Sequence, residues 1–253
     1  MRGLAVALAL AAAVLTPIPG AGQEGGPAKP RDSLFVGIDT SGSFERDRED
    51  ALTFLAYYLH GHLNGLGGLT RPRELFVAAI GGRQSDEPKA FRPIHDFMGK
   101  NVAQIESDLR RWYPPTDTLT DFNAFFAQVA RIAKERNLVL SPITVVIVSD
   151  GVPDIPMRGA PPGSMALYER IDLSPLEYLS KNTTLRLMYA SPKVGDNWRK
   201  HVRRQRVRLW TAENEVMKGW RAQVLAGMEP RDQARLWKWV RENVDFRVRS
   251  RAL

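Results

Sequence analysis

The run Ile143–Val148 (ITVVIV) is six residues long, wholly β-branched and carries no charge. It is too short for a helix buried on all sides, so it reads as a strand covered on both faces, as in the middle of a parallel sheet. Parallel neighbours need crossover connections, and helices that make them cover the sheet on either side. The rest of the chain supplies those parts. Ser33–Asp39 (SLFVGID), Glu74–Ile80 (ELFVAAI) and Thr183–Ala190 (TTLRLMYA) read as further buried strands, and Val207–Thr211 as an edge strand. Between them, Glu45–Leu63 places Leu52, Leu55, Ala56 and Leu59 on one helical face, and Gly65, Gly67 and Gly68 stop it. Val102–Trp112 reads as a short helix, and Gly81–Pro93 as a polar loop or hairpin carrying Asp86 and Glu87. A helix capped by Asp121 or Thr120 runs to about Arg136, with Phe122, Phe125, Phe126, Val129 and Ile132 inward. Helical segments are also expected through Pro175–Leu179, over Glu213–Leu225 and over Glu229–Asn243. The expected fold class is α/β: a doubly wound, mainly parallel sheet flanked by helices over residues 33–228, with a C-terminal helical extension over 229–253.

Composition narrows the chemistry. Hydrophobic content of 43% and charged content of 25% over 253 residues describe a globular chain with a core. The absence of cysteine excludes disulfides, thiol catalysis and thiolate metal sites. Net charge of +8 favours acidic partners or surfaces at long range. Met1 and Arg2 precede the apolar run LAVALALAAAVL and the small residues Ala21 and Gly22, which read as a secretory signal over residues 1–22. An uncleaved N-terminal anchor is the competing reading. Residues 23–32 (QEGGPAKPRD) read as a linker, and the expected location is secreted or periplasmic.

Three polar loops follow the segments that matter. Asp39-Thr40-Ser41-Gly42-Ser43 comes directly after the first strand, Pro115-Thr116-Asp117-Thr118-Leu119-Thr120 just before a helix, and Ser149-Asp150-Gly151 directly after ITVVIV. In an open parallel sheet the carboxyl ends of neighbouring strands converge on one crevice, so these loops can meet. Carboxylates and hydroxyls are hard oxygen donors that suit Mg²⁺, Mn²⁺ or Ca²⁺.

This ordered set resembles the von Willebrand factor type A domain and its metal-ion-dependent adhesion site. The resemblance spans about Leu34 to Leu225. It implies a divalent cation, Mg²⁺ first, held by Asp39, Ser41, Ser43, Thr116 and Asp150; Thr116 matches the family position by its spacing to the helix, with Thr118 the alternative. It further implies a protein ligand whose own carboxylate completes the ion's shell, and binding rather than catalysis.

The same residues admit other readings. DTSGS can be a plain strand-to-helix turn with a capping Asp or Ser. It differs from the D-T-G-S of aspartic proteases by the inserted Ser41, and no second copy exists. A serine nucleophile lacks a G-x-S-x-G elbow, and His60, His62, His95 and His201 lie outside the motif loops. A metal-dependent hydrolase would have only Asp154 or a distant histidine as base. The basic run Trp198–Arg208, with Arg199, Lys200, Arg203, Arg204, Arg206 and Arg208, is a solvated helix face or a surface for an acidic protein or anionic membrane; nucleic acid is not expected for an exported chain. Trp220, Trp237 and Trp239 are expected to pack the C-terminal helix, with one of the last two left exposed.

Overall fold

A computed structural model describes residues 32–179 and 182–246. The signal segment, nearly all of the 23–32 linker and the last seven residues of the extension lie outside those described residues. Strand β1 (Ser33–Ile38) leads through a single 3₁₀ turn into the long helix α1 (Glu45–Asn64). Gly65 ends α1 in the left-handed conformation, φ 64°, where a side chain would be strained. Strand β2 (Glu74–Ala79) follows. The polar stretch after it forms two short pieces, β3 (Gly81–Gly82) and β4 (Arg92–Pro93), the latter folding back antiparallel on β2. Helix α2 (Val102–Trp112) opens with a capping box between Asn101 and Gln104. Strand β5 (Leu119–Thr120) pairs with β3, and helix α3 (Phe122–Glu135) is capped by Asp121. Strand β6 (Ile143–Val148), the short helices α4 (Met165–Tyr168) and α5 (Ser174–Glu177), and strand β7 (Thr183–Ala190) come next. Helix α6 (Pro192–His201), edge strand β8 (Arg208–Glu213), one turn α7 (Asn214–Met217) and helix α8 (Ala234–Asn243) complete the order.

The main sheet runs β4-β2-β1-β6-β7-β8, parallel except for β4. The doubly wound expectation therefore holds, and ITVVIV sits in its middle. Alternation along β1 divides the two layers. Leu34, Val36 and Ile38 join Leu52, Leu55, Leu59, Ile105 and Leu109 of α1 and α2 on one face. Phe35 joins Phe122, Phe125, Phe126 and Val129 of α3 on the other. Gly37 has no room for a side chain, because a Cβ would lie 2.7 Å from Ile80 Cγ1 and 2.8 Å from Phe125 Cζ.

Two helical expectations change near the C-terminus. Glu213–Leu225 forms only the turn Asn214–Met217 and a 3₁₀ turn at Arg221–Gln223. Trp220 and Arg221 both bond to Asp50 of α1, and those tertiary bonds outweigh continuation of the helix. Over 229–243, Pro230–Asp232 is a 3₁₀ turn and α8 begins after Gln233, whose φ −75°, ψ 57° is non-helical. The buried Gln233 amide bonds to Leu225 N–H and to the carbonyls of Leu225 and Met228, so it serves the preceding loop instead. From α8, Leu236, Trp237 and Val240 enter the same core as α1, while Trp239 is only partly buried, as the two-residue spacing requires. Residues 234–244 thus share a hydrophobic layer with the rest of the fold.

Candidate metal centre

Register places the site. Ile38 lies opposite Val148 across the β1–β6 pair, so the residues that follow both strands emerge together at the carboxyl edge of the sheet. The Asp39 N–H donates to Val148 O at 2.9 Å, which pins the carboxylate beside Ser149. Asp39 Oδ2 accepts the Ser149 hydroxyl at 2.5 Å, and Oδ1 accepts the Ser41 N–H at 2.9 Å. The Ser41 and Ser43 hydroxyl oxygens stand 3.2 Å apart. Asp150 accepts the Val152 N–H at 2.9 Å, and the Ser43 and Ser149 hydroxyls reach its carboxylate. Gly151 is left-handed at φ 75°, and Trp198 Nε1 donates to its carbonyl at 2.8 Å, which fixes the bend after Asp150.

Electrostatics here are uncompensated. Asp39 is wholly buried, and burial pushes its carboxyl up to about 6 against the opposing bonds from Ser149 and Ser41, with the Asp150 charge adding to the rise. The Asp150 carboxyl is also raised, chiefly by burial and then by the charge of Asp47, with the Val152 N–H and the Ser43 hydroxyl pulling the other way. Among the described residues no cationic side chain forms an ion pair with either carboxylate. Two carboxylates and two hydroxyls at one strand-end crevice make an all-oxygen donor set of the kind hard divalent cations accept. Among the described residues no group of three or more His, Cys, Asp or Glu side chains is placed to hold a metal ion; any ion held here would lean on hydroxyls and water.

Asp39, Ser41, Ser43 and Asp150 are thus brought together. Thr116 is placed beside them rather than bonded to them. Its loop is laced to the first one, since Asp117 N–H donates to Thr40 O at 3.3 Å and Ser41 bridges Asp117. Thr116 itself is exposed and lines a neighbouring 260 Å³ pocket with Thr40, Lys89, Arg92 and Trp112. Thr118 is exposed as well, its N–H donating to Gly82 O at 3.1 Å. Asp154 bridges Thr120 through backbone bonds, a loop-bracing role. Of the histidines, His60 faces Lys100 O and His62 faces Thr70 O, remote from these loops.

Sequence reasoning passed over two features of the site. Ser149 holds Asp39, and the register between β1 and β6 is the signal that would have found it. Asp117 accepts the Thr40 hydroxyl at 2.6 Å and pairs with Lys89 at 3.4 Å; it was legible only as one polar residue in a polar loop.

No protein-family model matches the chain, and no curated protein matches it in sequence. Solved structures are similar in shape. The VWA domain of SpRpn10 is 10% identical with a TM-score of 0.42, over 80% of this chain and 93% of that one. The pilus adhesin SpaC from Lactobacillus rhamnosus GG, in its open conformation, is 12% identical with a TM-score of 0.48, over 85% of this chain. This chain spans only 30% of SpaC. Likeness at this level is silent on function. The sheet order and parallel pairing make the fold a doubly wound α/β sheet.

Proposed function

We propose that this chain is an exported binding module that captures another protein through a divalent cation, with the partner supplying a carboxylate to the ion. The observation that carries the reading is the meeting of Asp39, Asp150, Ser41 and Ser43 at one strand-end crevice with no ion-paired cation among the described residues. Asp39, Ser41, Ser43, Thr116 and Asp150 would hold the ion, Mg²⁺ by preference, with Mn²⁺ or Ca²⁺ as substitutes. Neutral hydroxyls leave the cation's charge partly uncompensated, which favours a further anionic oxygen from outside. Thr116, exposed at the rim, would join once the ion draws its loop inward. A divalent ion held there would supply an electrophilic centre for the partner's carboxylate. A binding role is favoured over hydrolysis because His60 and His62 face Lys100 O and Thr70 O, away from the site, and supply it no base.

The test uses the mature protein stripped with EDTA and then loaded with Mn²⁺, which speeds the relaxation of water protons when bound. Wild type is expected to bind Mn²⁺, and acetate is expected to lower the relaxation rate by displacing metal-bound water. Asp39→Ala is expected to do neither. Wild type that binds no Mn²⁺ would end the metal reading, and Mn²⁺ that acetate cannot reach would end the carboxylate half of it.

A further inference from the structure

The basic run after α6 is not one uniform surface. Arg199 is spent internally, bonding to Thr211 and Asp196 at 2.7 Å each. Arg204 is spent as well, donating to the carbonyls of Trp198, Arg199 and Val202 and so closing the carboxyl end of α6. Arg203 and Arg206 are different. Both are exposed, and among the described residues neither side chain has a hydrogen bond or an ion pair.

The loop that carries them is held unusually well from beneath. The Glu177 carboxylate accepts three successive backbone N–H groups, from Gln205 at 2.6 Å, Arg206 at 2.5 Å and Val207 at 3.1 Å. This fixes the loop and satisfies the Glu177 oxygens, which also line the concavity, without using a basic side chain. Arg203 and Arg206 then line a 310 Å³ concavity together with Tyr178, Asp172 and Ser174. Tyr178 is 78% exposed, a large ring left in water beside two free guanidinium groups. Tyr and Arg are enriched at binding hot spots, and a backbone already fixed has little further entropy to lose on docking.

We propose that this concavity docks an acidic linear peptide segment of a partner protein, independently of the metal centre. The segment's carboxylates pair with Arg203 and Arg206, and its chain lies against the Tyr178 ring. Charge complementarity selects the acidic occupant. Shape selects a peptide over a membrane: the surface is a concavity, which an extended segment can enter and a flat bilayer cannot follow.

The experiment follows a fluorescein-labelled hexaglutamate peptide by anisotropy at low salt, with EDTA present. Wild type and Asp39→Ala are expected to bind equally. Arg203→Gln with Arg206→Gln is expected to weaken binding at least tenfold, and Tyr178→Ala severalfold. A control that removes the same charge elsewhere, Arg131→Gln with Arg235→Gln, is expected to change affinity less than twofold. Equal losses from both double variants would overturn the proposal, since attraction would then come from net charge alone. Binding to phosphatidylserine vesicles but not to the peptide would overturn it in favour of a lipid surface. Loss of peptide binding in Asp39→Ala would overturn its independence from the metal centre.

Discussion

Replacing Asp39 by Asn tests the electrostatics of the site in one measurement. In the metal-free protein the Asp39 carboxyl titrates at about 6, against 3.8 in an exposed chain. Between those values the native state holds a proton that the unfolded state has released, so native stability falls as pH rises through that window and is level above it. A separation of roughly 2 units corresponds to about 3 kcal/mol of lost stability once the group is ionised. Asn does not ionise and keeps an acceptor for the Ser41 N–H. At pH 4 both proteins carry a neutral side chain and should melt close together, apart from the exchange of an acid for an amide. At pH 7.5 the metal-free variant should be the more stable by up to about 3 kcal/mol, or roughly 2–4 °C in Tm for each kcal/mol in a chain of this size. Asp150 adds to the gain, because it no longer faces a second negative charge. Other carboxylates titrate in both proteins and cancel in the difference. Mg²⁺ should reverse the order by stabilising wild type alone, by about 4.1 kcal/mol at one thousand times its dissociation constant. Thermal melts by circular dichroism from pH 4 to 7.5, with EDTA and then with Mg²⁺, give the answer. A difference that stays flat with pH, or that turns against the variant as pH rises without metal, would refute the reasoning.

Further outcomes are expected at other positions. Thr116→Ala should weaken Mn²⁺ binding about tenfold, equivalent to roughly 1.4 kcal/mol, while Thr118→Ala leaves it unchanged; calorimetric titration of the two variants separates the candidate ligands. Trp237→Ala should cost about 3–5 kcal/mol, because the indole is fully buried against Gly61 and Gly67. A loss below ~1 kcal/mol in urea unfolding would show that α8 is a loosely attached appendage rather than part of the core. Asp50→Ala should cost about 2 kcal/mol, since it strands the Tyr189 hydroxyl, the Trp220 indole N–H and Arg221, which all bond to this one carboxylate. Urea midpoints measured with unchanged slope would confirm that magnitude.

Local chemistry in the chain was enough to define the layers. β-branched runs at Ile143–Val148 and Ser33–Ile38, the 3.6-residue spacing in α1 and α3, and the Asn101 and Asp121 caps depend on neighbours within a few residues. The same held for four of the proposed ligands. Asp39, Ser41, Ser43 and Asp150 each stand within five residues of a strand's end, and parallel register carries strand ends to one edge. Only the tertiary structure decided what depends on partners far along the chain. Ser149 is bound to Asp39, Asp117 to Thr40, and Thr116 is left at the rim, because loops from distant segments are laced by backbone bonds that no local pattern encodes. The segment after β8 breaks where Trp220 and Arg221 find Asp50, and α8 begins where the Gln233 amide has turned to the 225–228 loop. The basic run looked uniform by composition. Folding consumed Arg199 and Arg204 and left Arg203 and Arg206 unpaired, because which charges remain free depends on which carboxylates and carbonyls the fold brings within reach.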